Sequence, residues 1–293
     1  MTSILTNNSA MAALQTLRSV NNNLSDTQNA VSSGLRVDKA SDNAAYWAIA
    51  TTMKSDNSAL SAVSDALGVG AAKVDTAYTA VESSIDVVTE IKAKLVAATE
   101  DGVDKDKIQD EIKQLQTQLS SISASASFNG ENWVSGSVGD TQSVVSSFIR
   151  TAGGVSVSTS GYSATADDLL FADGSGILDR DGAVSGASMT AFSISSASTK
   201  GDIDQFITDT ETALKGMTAL GSKLGSLQTG IELQTDFVSK LSDSIDSGVG
   251  RLVDADMEAE SSKLSALQTQ QQLAVQSLSI ANSSSQGILT LFR

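Results

Sequence analysis

Rows of apolar residues spaced by seven constrain this chain more than any other feature. Leu60, Leu67, Val74, Val81, Val88 and Leu95 form one unbroken row. Its partner row is Val63, Gly70, Ala77, Ser84, Ile91 and Ala98. A large residue beside a small one in each heptad predicts close helix–helix packing. Ile203, Thr210, Met217, Leu224, Ile231, Val238, Ile245 and Leu252 repeat the pattern near the other end, with Thr210 the one polar member. Residues 43–99 are thus expected as one helix about 85 Å long.

Shorter helical patterns flank these two. Leu17, Leu24 and Val31 share one position before residue 34, with Leu14, Asn21, Gln28 and Leu35 on the other row. After residue 256, Leu264, Gln271 and Leu278 make one row, and Leu267, Ala274, Ala281 and Ile288 the other. Between outer and inner patterns the helix breaks twice. Gly34 is placed to cap the first helix, and Ser41 and Asp42 to start the next. Gly248 and Gly250, followed by "RLVDADMEAES", mark the second break at 248–256. Matching breaks imply that the chain folds on itself, outer helix with outer and inner with inner.

The two ends are almost uncharged. Residues 1–35 carry only Arg18 and Asp26, and residues 264–293 only Arg293. An amphipathic helix facing water normally shows Lys and Glu on its polar side. Here Ser, Asn, Gln and Thr take those places, which predicts that the polar faces meet protein.

Residues 100–104 read as a turn, and Ile108, Ile112, Leu115, Leu119 and Ile122 predict a third helix folding back antiparallel. From 127 to 200 the periodicity is lost. That stretch holds ten of the 22 glycines. Alternation in "GVSVSTS" (154–160) and "AFSIS" (191–195) predicts strands.

Composition removes several chemistries. The chain has no Cys and no His, so disulfides, thiolate ligands, and the usual proton-transfer and zinc-binding side chain are missing. Proline is also absent, where ordinary usage would give about fifteen; this suits long helices and refolding without slow isomerisation. A net charge of −15 opposes nucleic acid and anionic membrane surfaces. The start lacks a basic region and a long apolar run, so neither a secretory signal nor membrane insertion is expected.

The segment "SSGLRVDKASDNAAYWAIA" (32–50) resembles a block of the bacterial flagellins through Ser33, Gly34, Leu35, Arg36, Ala40, Asp42, Ala44, Ala45, Ile49 and Ala50. Phe128, Asn129 and Gly130 match the motif that closes the family's third helix. Arg251, Asp254, Ala255, Asp256 and Glu260 match its C-terminal block, and Gln268, Gln271, Gln272, Leu278, Ala281, Asn282, Leu289, Leu291 and Arg293 its tail. The short middle and "NAAYWAIATTM" are most similar to alphaproteobacterial members.

The resemblance implies a mainly α fold with paired long helices in coiled-coil layers and a small β-rich module at the outer surface. It implies three parts: 1–34 with 256–293 as an inner polymer core, 35–130 with 201–255 as a long-helix rod including the joints, and 131–200 as an outer Gly/Ser-rich module. It further implies a homopolymer, alone or with paralogous flagellins, forming the extracellular flagellar filament used for swimming. Implied partners are the flagellar type III export apparatus, the filament cap and hook-associated proteins, with room for an export chaperone. No cofactor and no catalysis are implied.

The polymerisation residues implied are Leu14, Leu17, Leu24, Val31, Leu264, Leu267, Gln271, Leu278, Ile288, Leu291 and Arg293. Joint and intersubunit positions are Gly34, Arg36, Asp42, Arg251, Asp254 and Asp256. Three departures stand out. Ser285 replaces a proline common in enterobacterial flagellins, which predicts a longer last helix. Val87 and Thr89 replace two arginines of the patch read by the innate flagellin receptor, though Glu90 is kept; weak or no recognition is implied. The middle module matches none of the family's motifs quoted above.

Other readings stay open at single residues. Arg36 and Asp42 make an intersubunit contact or a local turn pair. Asp254 and Asp256 read as helix N-cap and first-turn acids, compatible with a polymer contact. Asp179, Asp181 and Gly182 resemble part of a calcium loop but fit a plain turn. Trp47 reads as packing at the joint. The competing functions are a hook–filament junction protein and, from other classes, a secreted coiled-coil adhesin or enzyme.

Overall fold

A computed structural model describes residues 7–151 and 154–290, with side chains to 283. Five helices dominate: α1 (Asn8–Ser33), α2 (Ala44–Ala98), α3 (Lys105–Ser125), α4 (Lys200–Val253) and α5 (Met257–Thr290). The strands are β1 (Ser127–Phe128), β2 (Glu131–Asn132), β3 (Thr141–Thr151) and β4 (Gly154–Ser163). The chain forms two compact units, one of Met1–Ser58 with Asp243–Arg293, the other of Ala59–Ser242.

In the second unit the seven-residue rows become core. Leu60, Leu67, Val74, Val81, Val88 and Leu95 are buried, as is the whole partner row. On α4, Ile203, Met217, Leu224, Ile231 and Val238 are buried. Thr210 is tolerated among them because its hydroxyl donates to the Phe206 carbonyl at 2.6 Å, so no polar atom is stranded. The helices run antiparallel: Gln228 donates to Asp75 at 2.7 Å, and seventeen residues along each helix Lys92 pairs with Glu211. Gly70 marks the closest approach. A Cβ there would lie 2.0 Å from Cγ1 of Val144, so β3 can seat on α2 only because that side chain is missing.

Helix α3 folds back across the turn with a Lys94–Glu111 pair at 2.6 Å. Its buried face is Ile112, Gln116, Leu119 and Ser123, whereas Ile108, Leu115 and Ile122 are only half-buried. Gln116 is the difference. Its amide donates to the carbonyls of Met189 (3.0 Å) and Phe192 (3.1 Å), so a polar residue is inside because it holds the irregular segment.

Residues 154–163 are a strand as expected, paired antiparallel with β3, with an irregularity between Val145 and Ser147. Residues 191–195 are not a strand. Their alternation arises because Phe192 and Ile194 enter the core while Gln109 accepts from the Ile194 N–H at 2.8 Å. Elsewhere in the segment, Asp168 is buried and accepts from Lys223 (2.7 Å) and from the hydroxyl (2.7 Å) and N–H (3.1 Å) of Thr165. Burial pushes its carboxyl up, but these donors together hold it below the ordinary range. Asp209, on α4, accepts from the N–H groups of Val184 (3.1 Å) and Ser185 (2.7 Å). Asp179 ties down its own loop through the N–H groups of Ala172 (2.9 Å) and Gly174 (2.7 Å).

Candidate assembly interface

In the first unit, α1 and α5 pair antiparallel. The Asn7 carboxamide caps α1 by accepting from the Ala10 N–H at 3.0 Å, and its NH2 donates to the Ala281 carbonyl at 3.0 Å. Gln271 donates to Asn21 at 2.8 Å. Beside the Gln271–Asn21 contact, Val20 and Leu24 of α1 bury against Leu267 of α5, with Leu264 packed alongside. Leu17, Val31, Gln271 and Leu278 are half-buried.

The second row on α1 differs from the expected one. Ala13, Val20 and Thr27 face the partner, while Leu14 is 38% exposed and Asn21 and Gln28 are exposed. The seam follows 13, 17, 20, 24, 27 and 31, alternating four- and three-residue steps. That spacing was present in the sequence, but Ala13 and Thr27 gave it no apolar signal. Helix α5 continues through Ser285 to Thr290. Leu291 and Arg293 lie outside the described residues, and the Ile288 side chain outside the described side chains.

The breaks lie side by side. Gly34 ends α1 with φ +71° and donates its N–H to the Ala30 carbonyl at 2.9 Å. A side chain in that left-handed conformation costs about 1–2 kcal/mol. The last carbonyls of a helix need donors from outside it. For α4 the segment after Gly34 supplies them: the N–H groups of Arg36 (2.7 Å) and Val37 (3.2 Å) reach the Val253 carbonyl, and the Arg36 guanidinium reaches Leu252 at 3.0 Å. In return Ala255 donates to the Gly34 carbonyl at 2.9 Å. Beneath this crossing Val37, Ala50, Val249 and Val253 form a small apolar cluster.

Several joint residues do other work than expected. Gly248 and Gly250 do not break the helix, which runs to Val253. A Cβ on Gly248 would lie 3.0 Å from Cε of Met53, so glycine there allows close packing; the break is at 254–256. Asp256 alone caps α5, accepting from the N–H groups of Glu258 (3.1 Å) and Ala259 (3.2 Å). Asp254 instead bridges to Leu35 through backbone. Asn43, rather than Ser41 or Asp42, caps α2 through the Tyr46 N–H at 3.1 Å. Asp42 accepts from the N–H groups of Lys39 (2.9 Å) and Asp38 (3.1 Å), and these bonds, Lys39's foremost, hold its carboxyl below the usual range. Arg36 turns to α4, so the two make no local pair. Arg251 is exposed in the last turn of α4, where a cation suits the helix dipole. Trp47 is 39% exposed rather than packed in.

Large apolar side chains stay uncovered on both helices. Met11 (64%) on α1 and Leu273, Val275 and Ile280 (70%) on α5 are exposed, on helices with almost no charge to keep them in water. Among the described residues no helix is long and apolar enough to cross a membrane.

Two family models match, the bacterial flagellin N-terminal helical region over residues 4–139 and the C-terminal helical region over 207–292. The chain is a bacterial flagellin. It is 48% identical to flagellin A and 51% identical to flagellin C of Rhizobium meliloti strain 1021, and 48% identical to a flagellin of Brucella melitensis, each over all of both chains. As a flagellin it is a structural subunit of the extracellular flagellar filament, a self-assembling polymer. Its identity to rhizobial members accords with the alphaproteobacterial likeness of "NAAYWAIATTM".

The positions that the resemblance assigns to the receptor patch differ in exposure. Thr89 and Glu90 are exposed, but Val87 is 6% exposed and belongs to the core. It is therefore not a surface substitution, and an arginine there would disturb packing before presenting a charge.

Proposed function

We propose that the α1/α5 pair is the polymerising part of this flagellin, lining the filament core, with 35–130 and 201–255 as the next layer and 131–200 outermost. The observation that carries this reading is the exposed apolar set Met11, Leu14, Leu273, Val275 and Ile280 on two nearly uncharged helices. The seam between them is thin, so neighbouring subunits must supply most of the burial that keeps them ordered. Export through the flagellar type III apparatus, capping at the tip and seating on hook-associated proteins follow from that role, with an export chaperone shielding the apolar arms beforehand. Catalysis has no part in it.

A hook–filament junction protein would share both terminal blocks but would not propagate. Purified chain added to sheared filament fragments is expected to lengthen them into long filaments under the electron microscope. Short caps that never extend would favour the junction role.

Weak recognition by the innate flagellin receptor is also proposed, now on Thr89 alone, where a cationic donor is replaced by a short hydroxyl already bonded to the Ile85 carbonyl at 2.8 Å. Purified monomer should stimulate receptor-bearing cells weakly, and Thr89→Arg should raise the response. Full stimulation by the unmodified protein would remove the idea.

A further inference from the structure

Arg18 and Asp26 are the only charged side chains in the first 35 residues. Both are exposed, and among the described residues neither makes an ion pair or hydrogen bond. They sit on the helix whose outer surface the assembly reading covers with neighbouring copies. A charge covered by protein without a partner is costly, so each needs a counter-ion from somewhere.

Their placement on α1 says where. At about 100° per residue they lie ~80° apart around the helix and ~12 Å apart along it. The seam against α5 runs down the opposite side, ~140° from each of them in opposite senses. The cation therefore stands on one flank of the outward face and the anion on the other. Eight residues apart, they do not satisfy one another as i,i+3 or i,i+4 neighbours would. The cations that share a hollow with Asp26 are Arg36 and Lys39; Arg36 is engaged with Leu252.

We infer that Arg18 of one copy pairs with Asp26 of the next, a second copy of this chain laid flank to flank along α1. An open helical array repeats one heterologous contact, each subunit offering two different patches to two neighbours. Opposite charges on opposite flanks are what such a contact requires, since like charges brought together there would oppose a wrong register. The inference rests on the assembly reading and adds which flank meets which.

The test uses full chains with Arg18→Asp, Asp26→Arg or both, added to sheared filament fragments. Each single variant places like charges together and should raise the monomer concentration needed for growth by at least about tenfold. The double variant should grow as the unmodified chain does. An equimolar mixture of the two single variants should also grow, because alternating copies restore every pair; this shows as well that each single variant folds. Unimpaired growth of either single variant overturns the pairing. So does growth of the double variant without growth of the mixture, which would place the pair within one chain. Failure of both the double variant and the mixture overturns it too. If the unmodified chain itself does not grow, the assembly reading falls, and the pairing with it.

Discussion

Deleting residues 264–293 is expected to leave a folded, soluble subunit that no longer elongates filaments. The deletion removes Leu264, Leu267, Gln271 and Leu278, which meet α1 or line its seam, and leaves the rows from Leu60 to Leu95 and from Ile203 to Val238 untouched. Ordering a helix costs about 1–2 kcal/mol per residue in backbone entropy. With few buried side chains between α1 and α5, the isolated pair recovers little of that, and the filament must provide the rest. Leu278→Glu should likewise abolish growth, because a carboxylate packed among neighbours is costly without a partner. Hydrogen exchange on the free subunit should find both arms weakly protected, and electron microscopy after seeding should find no extension of either variant. Normal filaments from the deletion, or strong protection of α5 in the free subunit, would show that these arms are not the assembly switch.

Leu224→Ala should destabilise the free subunit by about 2–5 kcal/mol, the usual cost of a cavity where a buried leucine stood. Leu224 is fully buried in the row that α4 contributes to the core, so its truncation leaves a cavity there. At about 2–4 °C per kcal/mol for a chain this long, the melting temperature should fall several degrees or more. Ser158→Ala is the control. Its side chain is small and only half-buried, and the carbonyl that accepts from Ser146 at 3.2 Å is unchanged, so its effect should stay within about 0.5 kcal/mol. Equal melting temperatures for the two variants would remove the pairing of α2 with α4.

The long helices were legible because heptad rows require no knowledge of the partner. Every residue from Leu60 to Leu95 in the row is buried, whichever surface covers it. The joints were legible as interruptions but not as chemistry. Gly248 looked like a break because glycine's commonest helical meaning is a stop, and only the position of Met53 shows that it gives room. Asn43 was overlooked as a cap beside two equally suitable neighbours, and Asp42 was free to close its own turn. The ribbon was half legible: "GVSVSTS" alternates cleanly, whereas "TQSVVSSFIRT" has an irregularity near Ser146 that spoils the period. "AFSIS" alternates for a reason that no strand pattern contains, since its order comes from glutamines on a distant helix. The charges on α1 carried no signal of their own until the direction of the seam was known.

Those glutamines have a consequence for how this protein can change. The segment between α3 and α4 is held at separate points by side chains rooted in helices: Gln109 and Gln116 on α3, Asp209 and Lys223 on α4. Most of the atoms they grip are backbone groups, which any residue would offer. Lengthening a flexible loop adds only about 0.6 kcal/mol of closure entropy per doubling, so sequence inserted between anchor points leaves each grip in place. The alignment with flagellin A of Rhizobium meliloti runs over 394 positions against the 293 residues here. A scaffold that grips its outer segment by the main chain can exchange that surface, in length and in sequence, without renegotiating its own core.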